Sequence, residues 1–166
     1  DAVKLGCRLV VYNKGTIREL GKVTEKMKKR VRVHIKIETG NNRQGVALEN
    51  LAEFAEYIRK FPYIEIEGAS THFANIEDIK LGREMGEYPK YQFENFEKAI
   101  SLLKRHGISI PIRHCANSAA ALLFPQTHFQ MVRSGIITYG LWPSDEVKMQ
   151  VEKRHPGFSL KPVLSW

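Results

Sequence analysis

Apolar positions in this chain change period several times, and each change marks an element. Leu9-Val10-Val11-Tyr12 is a short apolar run closed by Asn13-Lys14-Gly15, which predicts a strand and its turn. Ile17, Leu20, Val23 and Met27 then recur at helical spacing, interrupted by Gly21. Thr16 with Glu19 three residues on predicts the helix start as a capping box. From Val31 to Thr39 the alternation is strict. Val31, Val33, Ile35 and Ile37 share one face, and Arg32, His34, Lys36 and Glu38 share the other. That pattern suits a barrel strand packed under helices, and equally a half-buried edge strand. The loop Gly40-Asn41-Asn42-Arg43-Gln44-Gly45 follows, with two glycines bracketing Arg43 at a strand end where α/β active sites sit.

Leu51, Phe54, Ala55 and Ile58 form the next helical stripe, stopped by Pro62. Ile64 to Phe73 predicts a third strand, and Asn75 to Pro89 a loop rich in charge and glycine. Phe93, Phe96, Ile100 and Leu103 mark a helix closed by Gly107. Ile108, Ile110 and Ile112 open a fourth strand, and Phe129 to Arg133 reads as a fifth. After Pro143 the pattern fades. His155-Pro156-Gly157 reads as a linker, and the final seven residues from Leu160 as a strand cut short. Five strands alternating with four helices predict an α/β fold with a mostly parallel sheet. This length and strand number favour an open doubly wound sheet. The turns after the last two strands favour a (β/α)8 barrel, which at ~250 residues would here be incomplete.

The chain has 166 residues, 43% hydrophobic and 27% charged, within the range of a globular domain. No apolar run is long enough to span a bilayer, and no signal-peptide pattern opens the chain. Cys7 and Cys115 give neither a disulfide framework nor metal spacing, so a reducing cytoplasm is expected. The net charge is +8, but the cations are scattered. The densest run, Lys26 to Arg32, has no interleaved aromatic residues and reads as a solvated face, so no nucleic-acid partner is expected.

His114 to Gly140 carries the most concentrated chemistry. Its turns combine Asn117, Ser118, Arg133 and Gly135, which suggests an anion cradle. A helix beginning at Ser118 would aim backbone N–H groups at a phosphate, and Gly135 would let the main chain approach without a Cβ. His34, His72 and His114, on or at the ends of three strands, could instead serve a barrel metal hydrolase, although His34 sits mid-strand and no carboxylate is placed as a clear fourth ligand. Cys115 beside His114 points to the opposite face of a strand and reads as a buried thiol.

Several stretches together resemble the alanine racemase family. His34-Ile35-Lys36-Ile37-Glu38-Thr39-Gly40-Asn41-Asn42-Arg43-Gln44-Gly45 resembles its HLKxDTG strand running into MGRxG. Thr71-His72-Phe73-Ala74 resembles its THFA, and Asn117-Ser118-Ala119-Ala120 its NSAA. Arg133-Ser134-Gly135-Ile136 and Tyr139-Gly140-Leu141-Trp142-Pro143-Ser144 resemble its RPGIxxYGxxPS. Asn41-Asn42, Ser134 and Glu38 depart from that pattern.

The resemblance implies a pyridoxal 5'-phosphate enzyme that interconverts L- and D-alanine for peptidoglycan, with a barrel, a C-terminal β-domain and a homodimeric assembly. It implies that Arg133 bonds the pyridine nitrogen and leaves it unprotonated, since a guanidinium does not release a proton. It implies that His72 orients Arg133, and that Ser118, Gly135 and Ile136 form a phosphate cup beside Asn117. Arg43 would lie near the cofactor's phenolic oxygen and the substrate carboxylate. Lys36 would be a carbamate holding Arg43, or a lysine paired with Glu38. By this reading residues 1–155 are about strands 4 to 8 of the barrel. Residues 156–166 then form a linker and the first strand of the second domain. The Schiff-base lysine and the second-base tyrosine would lie elsewhere, so this piece would be inactive alone; Lys4 and Lys14 stay open as alternatives. A non-catalytic barrel that stores pyridoxal phosphate is a further reading.

Overall fold

The computed structural model describes residues 1–78 and 85–163. Strands and helices alternate through β4: β1 (Leu9–Val11), α1 (Lys14–Met27), β2 (Val31–Lys36), α2 (Leu51–Arg59), β3 (Ile64–Ser70), α3 (Glu87–Arg105) and β4 (Ile112–His114). The helices α4 (Ser118–Leu123) and α5 (Asp145–Arg154) follow. The sheet order is β1-β2-β3-β4, with β1 parallel to β2 and β2 parallel to β3. A doubly wound sheet reverses its strand order at a switch point. These four strands run in chain order without reversal, so the doubly wound expectation is not met. β2 is an inner strand of the sheet, not an edge.

The chain divides into two units. The first holds Asp1–Thr71 and Asn95–Arg113; the second holds the described parts of residues 72–94 and 114–166. In the first, Asn13 caps α1: its backbone is extended and its side chain accepts from Thr16 N–H at 2.7 Å. The helix therefore starts two residues before the expected Thr16, because Asn13 meets the orphan donor first. Its buried face is Ile17, Gly21 and Thr24, whereas Val23 and Met27 are 42% and 41% exposed. Gly21, which weakens the helix by propensity, is a packing position: a Cβ there would collide with the Phe61 ring.

The expected faces of β2 hold, and Val31, Val33, Ile35 and Ile37 are buried. On the other face Arg32 is exposed while His34 and Lys36 are buried. The β2–β3 register carries a bulge: Val33 pairs with Ile66 but His34 with Gly68, leaving Glu67 as the extra residue. A bulge re-aims a side chain. Here it turns the Glu67 carboxylate onto Arg8 Nε at 2.6 Å, His34 Nε2 at 3.1 Å and Arg32 Nη1 at 3.4 Å. The Arg8 hydrogen bond, with His34 and Arg32 adding to it, outweighs burial and holds Glu67 below the usual carboxylate range.

Three expectations fail in the second unit. Phe129 to Arg133 is not a fifth strand; Phe129 has φ +46, and Arg133 N–H donates a single bond to Ala116 O at 3.0 Å instead of joining a ladder. Four strands, not five, occur among the described residues. After Pro143 the chain forms α5, capped by Ser144 Oγ on Val147 N–H, with Asp145 and Glu146 in the first turn and Lys153 and Arg154 in the last. Leu160–Val163 is not a strand, and the rest of that expected strand lies outside the described residues. No helix among the described residues is long and apolar enough to cross a membrane.

Gly68 leaves no room for growth. A Cβ there would lie 2.6 Å from Ile112 O and 2.9 Å from His34 Nδ1. Gly68→Ala is expected to cost about 2 kcal/mol through overpacking against backbone, measured as a lowered midpoint in urea unfolding; an unchanged midpoint would contradict this packing.

Candidate functional site

The site in the second unit is built where β4 ends. Asn117 leaves the strand in extended conformation, and its Oδ1 accepts from Ala120 N–H at 3.0 Å, which starts α4. Ser118 follows as the first helical residue, and its Oγ accepts from Gly135 N–H at 3.0 Å. Since that bond uses an oxygen lone pair, the Ser118 proton stays available to a further acceptor. Gly135 in turn is held by Thr138, whose N–H and Oγ–H donate to its carbonyl at 3.0 and 2.6 Å. Among the described residues a Cβ at Gly135 would meet only Ser118 Oγ, at 3.7 Å. Crowding by the chain itself is therefore not what requires glycine there.

Arg133 sits beside this turn with its guanidinium drawn out of water. Nη1 donates to His114 Nδ1 at 2.8 Å and to His114 O at 3.0 Å. Nη2 donates to His72 Nδ1 at 3.3 Å and to Cys115 O at 3.2 Å. A guanidinium only donates. Both Nδ1 atoms must therefore offer lone pairs, which makes both rings Nε2–H tautomers. Burial pushes the Arg133 pKa below its ordinary value, with Cys115 opposing, but a guanidinium stays charged in a protein.

His72, Asn117, Ser118, Arg133, Gly135 and Ile136 line one open cavity of about 320 Å³ with Glu77, Ala119 and Pro143. All belong to the second unit. Glu77 Oε2 is buried and, among the described residues, has no hydrogen-bond partner.

Lys36, Glu38 and Arg43 belong to the first unit. Ile37 N–H donates to Ser70 O at 2.8 Å, and Glu38 N–H to Val46 O at 3.0 Å, so the 39–45 loop closes on itself. Gly45 permits that closure: its φ is +151, and a Cβ would stand 2.5 Å from Glu38 N. Thr39 and Thr71 hydroxyls, both buried, bond at 2.7 Å. Lys36 is 7% exposed, and Arg43 is exposed. The Glu38 carboxylate faces the loop's own backbone, accepting from Gly40 N–H at 2.5 Å. Burial alone would raise its pKa, but backbone bonds from Gly40, Asn42, Asn41 and Arg43 outweigh it and hold it low.

The three histidines are not a ligand set. His34 is in the first unit on Glu67, while His72 and His114 both serve Arg133.

Residues 1–143 match the family described as alanine racemase, N-terminal domain. The chain belongs to that family. The alanine racemase N-terminal domain is an α/β barrel fold, consistent with the parallel strands in chain order here. The alanine racemase of Methanococcus maripaludis is 38% identical over 158 residues, 95% of this chain and 41% of that protein. That of Desulfovibrio desulfuricans is 43% identical over 135 residues, 81% of this chain and 35% of that protein. Among solved structures, alanine racemase of Clostridium difficile 630 gives a TM-score of 0.84 at 32% identity, covering 98% of this chain and 42% of that one. The Bacillus anthracis alanine racemase with bound L-Ala-P gives 0.81 at 31%, covering 97% and 39%. The chain thus spans between 35% and 42% of the length of these relatives.

Against the alanine racemase motifs, two site residues went unread. The sequence offers His114 as a metal-ligand candidate and as the neighbour of Cys115, whereas its contact with Arg133 crosses 19 positions and has no local signature. Glu77 lay in a stretch read as loop.

Because the folded pKa of Glu38 lies below its unfolded value, its contribution to stability is present above the ordinary carboxylate range. That contribution is lost as pH falls through the lower folded value. Stability measured by urea unfolding across acid pH should fall less steeply in Glu38→Gln than in wild type; parallel curves would refute the loop's hold on this carboxylate.

Proposed function

We propose that this chain is the cofactor-bearing part of an alanine racemase, which binds pyridoxal 5'-phosphate and interconverts L- and D-alanine in the whole protein as a homodimer. The observation that carries the reading is Arg133: a guanidinium fixed by two imidazole Nδ1 atoms and two carbonyls, in the cavity that holds the Ser118–Gly135 hydrogen bond. The relatives' shared name supports the same activity.

The residues fit the cofactor. A phosphate ester needs hydroxyl and backbone donors around it, and Ser118 keeps its proton for such an acceptor. Asn117 has its Oδ1 engaged on Ala120 N–H, so it shapes the start of α4, and Gly135 and Ile136 offer main chain at the same cavity. Arg133 would meet the pyridine nitrogen and, by not giving up a proton, leave it neutral. Pyridoxal phosphate, when bound, draws electrons from the α-carbon of an amino acid so that its proton can leave and return.

The chain's own residues do the holding. His72 and His114 orient Arg133. Arg43, on the loop organised by Glu38, supplies a cation for the substrate carboxylate. Lys36, buried on β2, serves Arg43 as a carbamate. In this reading the chain corresponds to the middle of the barrel and the start of the second domain. The two bases that exchange the α-proton come from outside these residues.

Titration of the chain with pyridoxal 5'-phosphate, followed by absorbance, tests the cradle. Ser118→Ala and Arg133→Ala should each weaken binding about tenfold, as the loss of a charge-assisted or phosphate hydrogen bond requires. Binding equal to wild type in both would refute the cradle. Lack of cofactor-dependent loss of optical rotation from L-alanine by the whole protein would refute the activity.

A further inference from the structure

β3 ends at Ser70, so the backbone at residues 72–74 has left the strand ladder. Its part-buried polar groups still need partners. One side chain supplies two. Gln92 Oε1 accepts from Ala74 N–H at 2.9 Å, and Gln92 Nε2 donates to the His72 carbonyl at 3.2 Å. The orientation of the amide follows from its partners, since the reverse would set oxygen against oxygen and N–H against N–H.

Gln92 is 0% exposed, on the buried stripe Pro89, Gln92, Phe96, Ala99 and Leu103 of α3. A leucine would fill that stripe without desolvating an amide. The amide is matched by the two bonds it makes, which grip the main chain on either side of Phe73, itself 2% exposed. The gripped carbonyl is that of His72, whose Nδ1 lies 3.3 Å from Arg133 Nη2.

We propose that Gln92 is a positioning residue for the cofactor cradle: its amide fixes the backbone around Phe73 and thereby sets the His72 imidazole against Arg133. The consequence for cofactor binding rests on the function proposed above; the consequence for the His72 ring does not. Gln92 acts through His72 and touches neither the cavity-lining Ser118 nor Gly135.

Two readouts on the 166-residue chain test this: the His72 tautomer from imidazole ¹⁵N spectra, and pyridoxal 5'-phosphate affinity from absorbance titration. Val151→Ala serves as the control, since it removes a buried apolar side chain of α5, a helix that lends no residue to the cavity lining. In wild type, His72 should show an unprotonated Nδ1. Gln92→Leu should mix the tautomers and weaken binding about tenfold, while Val151→Ala stays within about twofold. Gln92→Glu keeps the shape; when ionised it retains the Ala74 bond and loses the His72 bond. Its affinity should fall relative to wild type as pH rises from roughly 6 to 8, where a buried carboxyl ionises. A Gln92→Leu chain with the wild-type tautomer and control-like affinity overturns the proposal. Should Gln92→Leu fail to fold, a Gln92→Glu chain indistinguishable from wild type on both readouts overturns it equally. No cofactor binding by wild type would defeat the cofactor reading, and the tautomer spectra would still decide this one.

Discussion

A guanidinium removed from water must find its acceptors in the fold before any ligand arrives. Arg133 finds them at the ends of two segments far apart in sequence, residue 72 and residues 114–115. That requirement orders the neighbourhood. It fixes both imidazole tautomers, it uses the carbonyls that β4 releases as it ends, and it brings residue 133 beside Ala116. The turn that follows then delivers Gly135 N–H to Ser118. A cavity with one cation and one free hydroxyl proton beside the 135–136 main chain results from satisfying a single half-buried charge.

Much of this was legible because local chemistry and tertiary packing agreed. The alternation of Val31 to Ile37 predicted β2 and its faces. Asn117-Ser118 marked the start of α4, and Arg133, His72 and Gly135 were legible as a set through the family motifs. The misses have physical causes. Phe129 to Arg133 has strand-like residues, but its backbone turns through a positive φ at Phe129 and answers to Ala116 alone. α5 announces itself by its cap and end charges and not by an apolar stripe, since only Val147, Gln150 and Val151 are buried. Asn13 reads as part of a turn and Thr16 as the cap, yet it is the Asn13 side chain that reaches a donor. Gln92 sits on an apolar period where a polar residue reads as noise until its partners are known.

Charge in the first unit is organised around anions. Glu67 gathers Arg8, Arg32 and His34, and Glu38 gathers the backbone of its own loop. A chain with net charge +8 therefore places two of its few buried or half-buried carboxylates where cations or N–H groups converge. The exposed lysines contribute little to this arrangement, as solvated charges generally do.

The extra residue in β3 reaches beyond the carboxylate it turns. Residues 64–66 pair with 31–33 in one register and 68–70 pair with 34–36 in the next, so the strand changes phase halfway along. An unbroken ladder through all seven residues would instead set Glu67 opposite His34 and exchange the faces of everything after it, Ser70 and Thr71 included. The place where the ladder slips is thus itself a coded quantity: the same side chains in one unbroken register would put the contents of this strand end on the wrong side of the sheet.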